Sequence, residues 1–228
     1  MRTEGSSSAP WKNHLFKIIL IGDSTVGKSQ ILSRYTKNKF SIDSNATKNA
    51  EFGSRGIVLE HEPVTVQICA TGGQERYRAL TISYFSGAHG AMLVYDITKR
   101  ESFENISGWL RELRRTVDRK MVILLIGNKT DLENQRDVPT EHAQKYARRK
   151  KLIFFETSAL EAINIDTAVL TIVNEMFKMV FKKHLPFAYS TSPHTYLPVM
   201  GIKLGNSKIR VNPQEEDGGF GNTACSKL

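Results

Sequence analysis

The chain is expected to fold as a three-layer α/β domain, a mostly parallel six-stranded sheet with helices on both faces. Three observations lead there. Short apolar runs alternate with amphipathic stretches from His14 to Lys183, the order that builds a parallel sheet through crossover helices. The run Met121–Ile126 is apolar throughout, as a central strand covered on both faces must be. The segment Gly22-Asp23-Ser24-Thr25-Val26-Gly27-Lys28-Ser29 joins an apolar run to a helix-forming stretch. That is the strand–GxxxxGK[ST]–helix arrangement of a phosphate-binding loop, which makes the fold class a P-loop one.

Residues 1–12 are polar and rich in serine, and read as a disordered arm. Leu15–Ile21 is the first strand, and the phosphate loop opens the first helix. Gly56–Glu60 and Val64–Ala70 follow as strands. The connection around His61-Glu62-Pro63 is too short for a crossover, so this pair is antiparallel. Ala91–Tyr95 is the next strand. Over 101–117, Phe103, Ile106, Leu110, Leu113 and Val117 recur at helical spacing with arginines opposite. Met121–Ile126 is the central strand, Arg148 to Lys151 end a short helix, and Ile153–Phe155 is the last strand. Over 166–182, Val169, Ile172, Val173, Met176, Phe177 and Val180 form a second helical stripe. Both stripes face the core. After Lys183 the composition shifts: four of the seven prolines fall there, with no helical period. The organisation read from this is an arm (1–12), a globular domain (13–183) and a flexible tail (184–228).

At 228 residues and 40% apolar content the chain suits one domain with tails. The formal net charge of +9 favours contact with anionic surfaces. The charges are dispersed, however. Arg111, Arg114, Arg115 and Arg119 lie beside Glu112 and Asp118, and read as a solvated face. With no zinc-finger spacing and no aromatic RNA-binding motif, nucleic acid is not an expected partner. The two cysteines, Cys69 and Cys225, make no disulfide framework and fit a reducing compartment. The first ten residues carry no apolar core of a secretory signal, and Met121–Ile126, the longest apolar run, is too short to span a bilayer.

The chemistry starts at the phosphate loop. Its glycines let backbone N–H groups converge on a phosphate, and the helix N-terminus adds partial positive charge. Residues 22–29 grip phosphate, Lys28 reaching the terminal groups and the Ser29 hydroxyl sitting on Mg²⁺. A Gly-rich surface turn is the plain alternative, and placement between strand and helix argues against it. The loop alone does not separate kinases, ATPases and GTPases. Gly127-Asn128-Lys129-Thr130-Asp131 does, at the C-terminal end of a parallel strand where open α/β sheets bind ligands. A carboxylate there accepts from the N1–H and 2-amino group of guanine. Adenine has neither donor, so a buried carboxylate facing it would stay unpaired. A second strand end carries Glu156-Thr157-Ser158-Ala159-Leu160, and the backbone at Ser158 and Ala159 is placed to meet the guanine O6. An unrelated P-loop kinase would need an acceptor site and a lid that are not found.

The stretches GQERYRALT, GAHGAMLVYDITKRESFENISGWLRELR, LLIGNKTDL and FFETSALEA resemble the Ras superfamily and, within it, the Rab family. They look like its recycling-endosome and trans-Golgi branch, called Rab-A in plants. The resemblance covers about Lys12 to Lys183. It implies a GTP/GDP switch in vesicle trafficking and protein transport, and a GTP hydrolase with Mg²⁺ as cofactor. The implied partners are effector proteins, an exchange factor and a GTPase-activating protein. By this resemblance Thr47 meets Mg²⁺ when the γ-phosphate is present, and Gly73 donates its N–H to that phosphate. Gln74, the catalytic residue, orients the attacking water.

The departures from the family fall on working parts. Ala70-Thr71-Gly72-Gly73-Gln74 stands where the family has Asp-Thr-Ala-Gly-Gln. The missing carboxylate holds Mg²⁺ through water, and no neighbouring acid fills the gap. Thr25 stands in place of a glycine, and at φ > 0 a β-branched residue is strained. Lys48 and Asn49 replace the usual Ile-Gly of the effector segment. The effector-reading aromatic trio maps to Phe52, Cys69 and Tyr84, with cysteine in place of tryptophan. Cys69 reads as a small buried strand residue rather than a reactive thiol. Hydrolysis is therefore expected to be slowed or lost. The alternative reading is a non-catalytic, weakly nucleotide-binding scaffold on a membrane.

The chain ends Ala224-Cys225-Ser226-Lys227-Leu228, a C-a-a-X pattern whose last leucine selects geranylgeranyl. Ser226 and Lys227 are not aliphatic, and Rab proteins usually end with two nearby cysteines. One lipid anchors only marginally without a second signal, and the tail sets Lys203, Lys208, Arg210 and Lys227 against Glu215, Glu216 and Asp217, a weak patch. The expected location is the cytoplasmic face of trans-Golgi, endosomal or plasma membranes, lipid-anchored through Cys225.

Overall fold

Ile18, Ile19, Leu20 and Ile21 are all buried, although successive side chains of a strand point to opposite faces. Such a strand needs a helix layer on each side, and the computed structural model, which describes residues 14–41, 50–72, 83–117 and 121–181, has both. The strands are β1 (His14–Ile21), β2 (Glu51–Leu59), β3 (Glu62–Ala70), β4 (Gly90–Asp96), β5 (Val122–Asn128) and β6 (Ile153–Thr157). The helices are α1 (Lys28–Lys37), α2 (Arg100–Glu104), α3 (Ile106–Thr116), α4 (Thr140–Lys150) and α5 (Ile165–Phe181), with a 3₁₀ turn at Thr130–Gln135.

The six strands lie in the order β2-β3-β1-β4-β5-β6. All neighbours are parallel except β2 and β3. On one face Ile18, Leu20, Val66, Val94 and Ile126 meet Ile31 and Leu32 of α1 and Val169, Ile172 and Val173 of α5. On the other Ile19, Ile21, Leu93, Tyr95 and Leu125 meet Trp109 and Leu113 of α3 and Ala143 and Ala147 of α4. Each such aliphatic side chain contributes roughly 1.5–3 kcal/mol by leaving water. The expected fold class is thus the observed one.

The details differ in four places. The strand expected at Gly56–Glu60 starts five residues earlier, at Glu51, because β2 pairs with the whole of β3. The hairpin turn is made by Glu60 and His61, both at positive φ (48° and 68°), the twist that two-residue hairpin turns favour. The stretch 101–117 divides at Asn105 into α2 and α3. The 3₁₀ turn was not anticipated. Residues 1–13 and 182–228, which hold the expected arm and tail, lie outside the described residues.

Candidate functional site

The phosphate loop leaves β1 at Gly22, whose φ is 148°. A Cβ there would collide with the carbonyl oxygen of Val94 on β4. At its other end Gly27 (φ 100°) leaves no room for a Cβ against the Asn128 amide of β5. Between them Thr25 turns with φ 65°, so the strain expected from a β-branched residue is present rather than relaxed away. The two glycines thus let the loop backbone lie close against β4 and β5, which holds it in place at the start of α1. Lys28, the first residue of α1, is buried. Its ammonium donates to the backbone carbonyls of Gly22 (2.8 Å) and Asp23 (2.6 Å). Burial pushes it down to about 8, against the opposing pull of the Asp23 carboxylate. A buried cation held only by carbonyls favours an arriving anion. Ser29 follows on the same turn.

The Asp23 carboxylate is itself committed. Oδ1 accepts from Trp109 Nε1 (2.7 Å) and Oδ2 from Asn105 Nδ2 (2.8 Å). Sequence reasoning missed both partners. Trp109 was not among the stripe residues singled out, and the hydrogen-bonding end of an indole has no periodicity to reveal it.

The base side assembles on the next strand ends. Asn128 is buried, donates to the Val26 carbonyl (2.9 Å) and accepts from Thr157 Oγ1 (3.1 Å). One amide thereby joins the phosphate loop, β5 and β6. Lys129 (φ 74°) lays its ammonium 2.6 Å from Asp96, a buried carboxylate at the end of β4. Asp96 also accepts from the Thr98 N–H and hydroxyl. Asp131 accepts from Ser158 Oγ, which in turn accepts from the Glu161 N–H. Arg34 of α1 donates to the carbonyls of Ala159 and Leu160 and pins that loop. Asp96, Thr157 and Arg34 were not singled out from the sequence; an acid closing β4 two residues before Thr98 was the available signal for the first.

Ala70 closes β3 with no exposed surface, paired with Leu20 on one side and Glu51 on the other. Thr71 spends its N–H and hydroxyl on the Leu20 carbonyl. The carboxylates of Asp23 and Asp96 are taken up as above, and Glu51 is exposed at the sheet edge. Among the described residues no group of three or more His, Cys, Asp or Glu side chains converges as a metal site. The residues thus fit a nucleotide well. Toward Mg²⁺, which offsets charge on the outer phosphates when bound, the described residues place Ala70 and no carboxylate at the end of β3. Thr47, Lys48, Asn49, Gly73, Gln74 and Cys225 lie outside the described residues. On the edge of the sheet Phe52 is exposed and stacks edge-on with Tyr84, ring centres 5.8 Å apart. Cys69, opposite Phe52 in the ladder, has no exposed surface, and burial raises its thiol to about 11. It is a core residue that presents nothing to a partner directly.

The family model for the Ras family matches residues 17–178. The chain belongs to the Ras family. Within it the relatives are Rab proteins of plants. Ras-related protein Rab11D of Nicotiana tabacum is 57% identical over 173 residues, which is 76% of this chain and 78% of that one. Ras-related protein Rab11C of the same plant is 56% identical over 192 residues, 84% of this chain and 86% of that one. Ras-related protein RABA4d of Arabidopsis thaliana is 46% identical over 215 residues, 94% of each. This Ras-family chain is a Rab11-like (Rab-A) small GTPase. It is a GTP-binding switch of vesicle trafficking, a GTP hydrolase by family, with GTP or GDP and Mg²⁺ as ligands and with regulators and effectors as partners. The non-catalytic scaffold is not favoured.

Proposed function

We propose that this GTPase is a trafficking switch whose nucleotide is held by phosphate loop and base site, with the contribution of Mg²⁺ weakened. Residues 22–29 hold the phosphates, Lys28 reaching the outer ones. Asp131 selects guanine, Asn128 and Lys129 brace the pocket, and the backbone of Ser158 and Ala159 meets the base. Thr71 and Gly72 follow the strand end, and Gly73 donates its N–H to the γ-phosphate. Ser29 and Thr47 offer their hydroxyls to the metal, and Gln74 orients the attacking water. Lys48, Asn49, Phe52 and Tyr84 form the effector face. The chain works on the cytoplasmic face of trans-Golgi, endosomal or plasma membranes, attached through a lipid on Cys225.

The observation that carries the weakened metal term is Ala70, a buried methyl at the strand end where the family has a carboxylate, with the acids of the loop and of β4 engaged elsewhere. The test measures GDP release and single-turnover GTP hydrolysis with and without EDTA, for the natural chain and for Ala70→Asp. The natural chain should hydrolyse slowly and show little acceleration of release by EDTA. Ala70→Asp should slow Mg²⁺-dependent release by about tenfold or more, the usual scale of an outer metal contact. Slow release that EDTA strongly accelerates in the natural chain would overturn the reading.

A further inference from the structure

Two basic runs that are remote in sequence end side by side. Arg114, near the end of α3, donates from its guanidinium to the carbonyl of Lys150, the last residue of α4 (2.9 Å). Around this contact Arg114, Arg115, Arg148, Arg149, Lys150 and Lys151 are all exposed. None of the six belongs to an ion pair among the described residues, whose pairs all lie elsewhere. Cations at helix C-termini complement the helix dipole, but a helix end supplies only about half a negative charge. Four cations at the end of α4 exceed that. The aromatic ring of Tyr146 lies beneath the cluster, 6.0 Å from the Lys150 ammonium. It adds no negative group.

The position of the cluster matters as much as its charge. Lys151 lies two residues before β6, so the cluster lies where the parallel strands begin. The nucleotide-binding residues lie where they end. α5 also finishes at the strand starts: Met179 and Val180 line an apolar cleft of about 200 Å³ with Phe16, His89 and Met121, the residue before β5. The end of α5, from which the tail continues, lies at the same end of the sheet as these cations.

We propose that this end, formed by the last turns of α3 and α4, seats the domain on an anionic lipid surface. An anionic leaflet is the partner that fits, because the cations top two neighbouring helix ends at the outlet of the tail, and the tail carries the only cysteine outside the core. The proposal deepens the membrane attachment through Cys225 and is tested without it.

The full-length chain, produced without prenylation, is sedimented with vesicles of phosphatidylcholine alone and of phosphatidylcholine with phosphatidylserine, at low and high salt. Binding should require phosphatidylserine and fall at high salt. Each basic residue near such a surface is worth about a fivefold change in partitioning. Arg148→Ala/Arg149→Ala/Lys150→Ala should therefore lower it roughly a hundredfold, with GDP retention and thermal melt unchanged. If that variant folds poorly, Arg115→Ala/Lys151→Asn, which keeps a residue tolerant of the Lys151 backbone, should lower it about twenty-five-fold. Equal binding by the face variants, or loss only in Lys208→Ala/Arg210→Ala of the tail, would overturn the proposal. So would tighter binding to duplex DNA than to the anionic vesicles, which would assign the face to nucleic acid. Failure here leaves a lipid on Cys225 standing, and an unmodified Cys225 leaves this face standing.

Discussion

At Thr25 the phosphate loop takes φ 65°, a region where a branched Cβ crowds the backbone. The cost of such a residue is about 1–3 kcal/mol. Glycine would remove the crowding while giving up about 0.5–1 kcal/mol through its freer unfolded chain. The hydroxyl loses little: its contact from the Lys99 ammonium is long, at 3.3 Å, and exposed. Thr25→Gly should then stabilise the GDP-bound domain by about 1 kcal/mol, a rise of roughly 2–4 °C in a thermal melt at this size. A fall in melting temperature would mean that the hydroxyl anchors the loop. Lys28 carries the opposite imbalance. Burial pushes its pKa down to about 8, and a bound phosphate raises it again by supplying a counter-charge.

Between elements, the bond from Trp109 to Asp23 ties α3 to the phosphate loop. Trp109→Phe keeps the ring and removes the donor, leaving Oδ1 of a partly buried carboxylate unmatched. That should lower stability by about 1–3 kcal/mol in urea unfolding and speed GDP release several-fold; an unchanged release rate would confine the bond to folding. This contact also shows what the sequence withheld. β1, β4 and β5 were legible as apolar runs because both their faces are covered. β2 was half legible: the expected strand began only at Gly56, and pairing along β3 extends it back to Glu51. The phosphate loop and the Asn128–Asp131 segment were legible because each is a local pattern demanded by its ligand. The bonds that hold those segments together were not. Trp109 with Asp23, Asn128 with Val26 and Lys129 with Asp96 join residues far apart in the chain, and hydrophobic spacing says nothing about where polar ends meet. The same holds for Cys69. Its small size was plain, but its lack of exposed surface depends on the core cluster around it, with Ile19 of β1 and Phe85 in the same cluster.

Across the molecule, the lipid proposed on Cys225 and the basic end of the domain would divide the work of membrane attachment. One lipid chain gives marginal, reversible binding. In cells, Cys225→Ser should move the protein from the membrane to the soluble fraction, and a high-salt wash should strip much of the natural chain from the pellet. Equal membrane fractions for both proteins would remove Cys225 from the mechanism. The basic runs 111–115 and 148–151 read in sequence as separate solvated faces, since the Arg114–Lys150 contact belongs to no local pattern. Placing positive charge at the strand starts and the nucleotide at the strand ends gives the domain an electrical polarity. In the field of an anionic leaflet, which reaches about 8–10 Å at cellular salt, such a body feels a torque before it feels a contact. It turns over the last nanometre of its approach and lands with the strand starts down. The pocket then opens away from the lipid, so that soluble regulators meet the nucleotide from the water side and need not compete with the membrane for it.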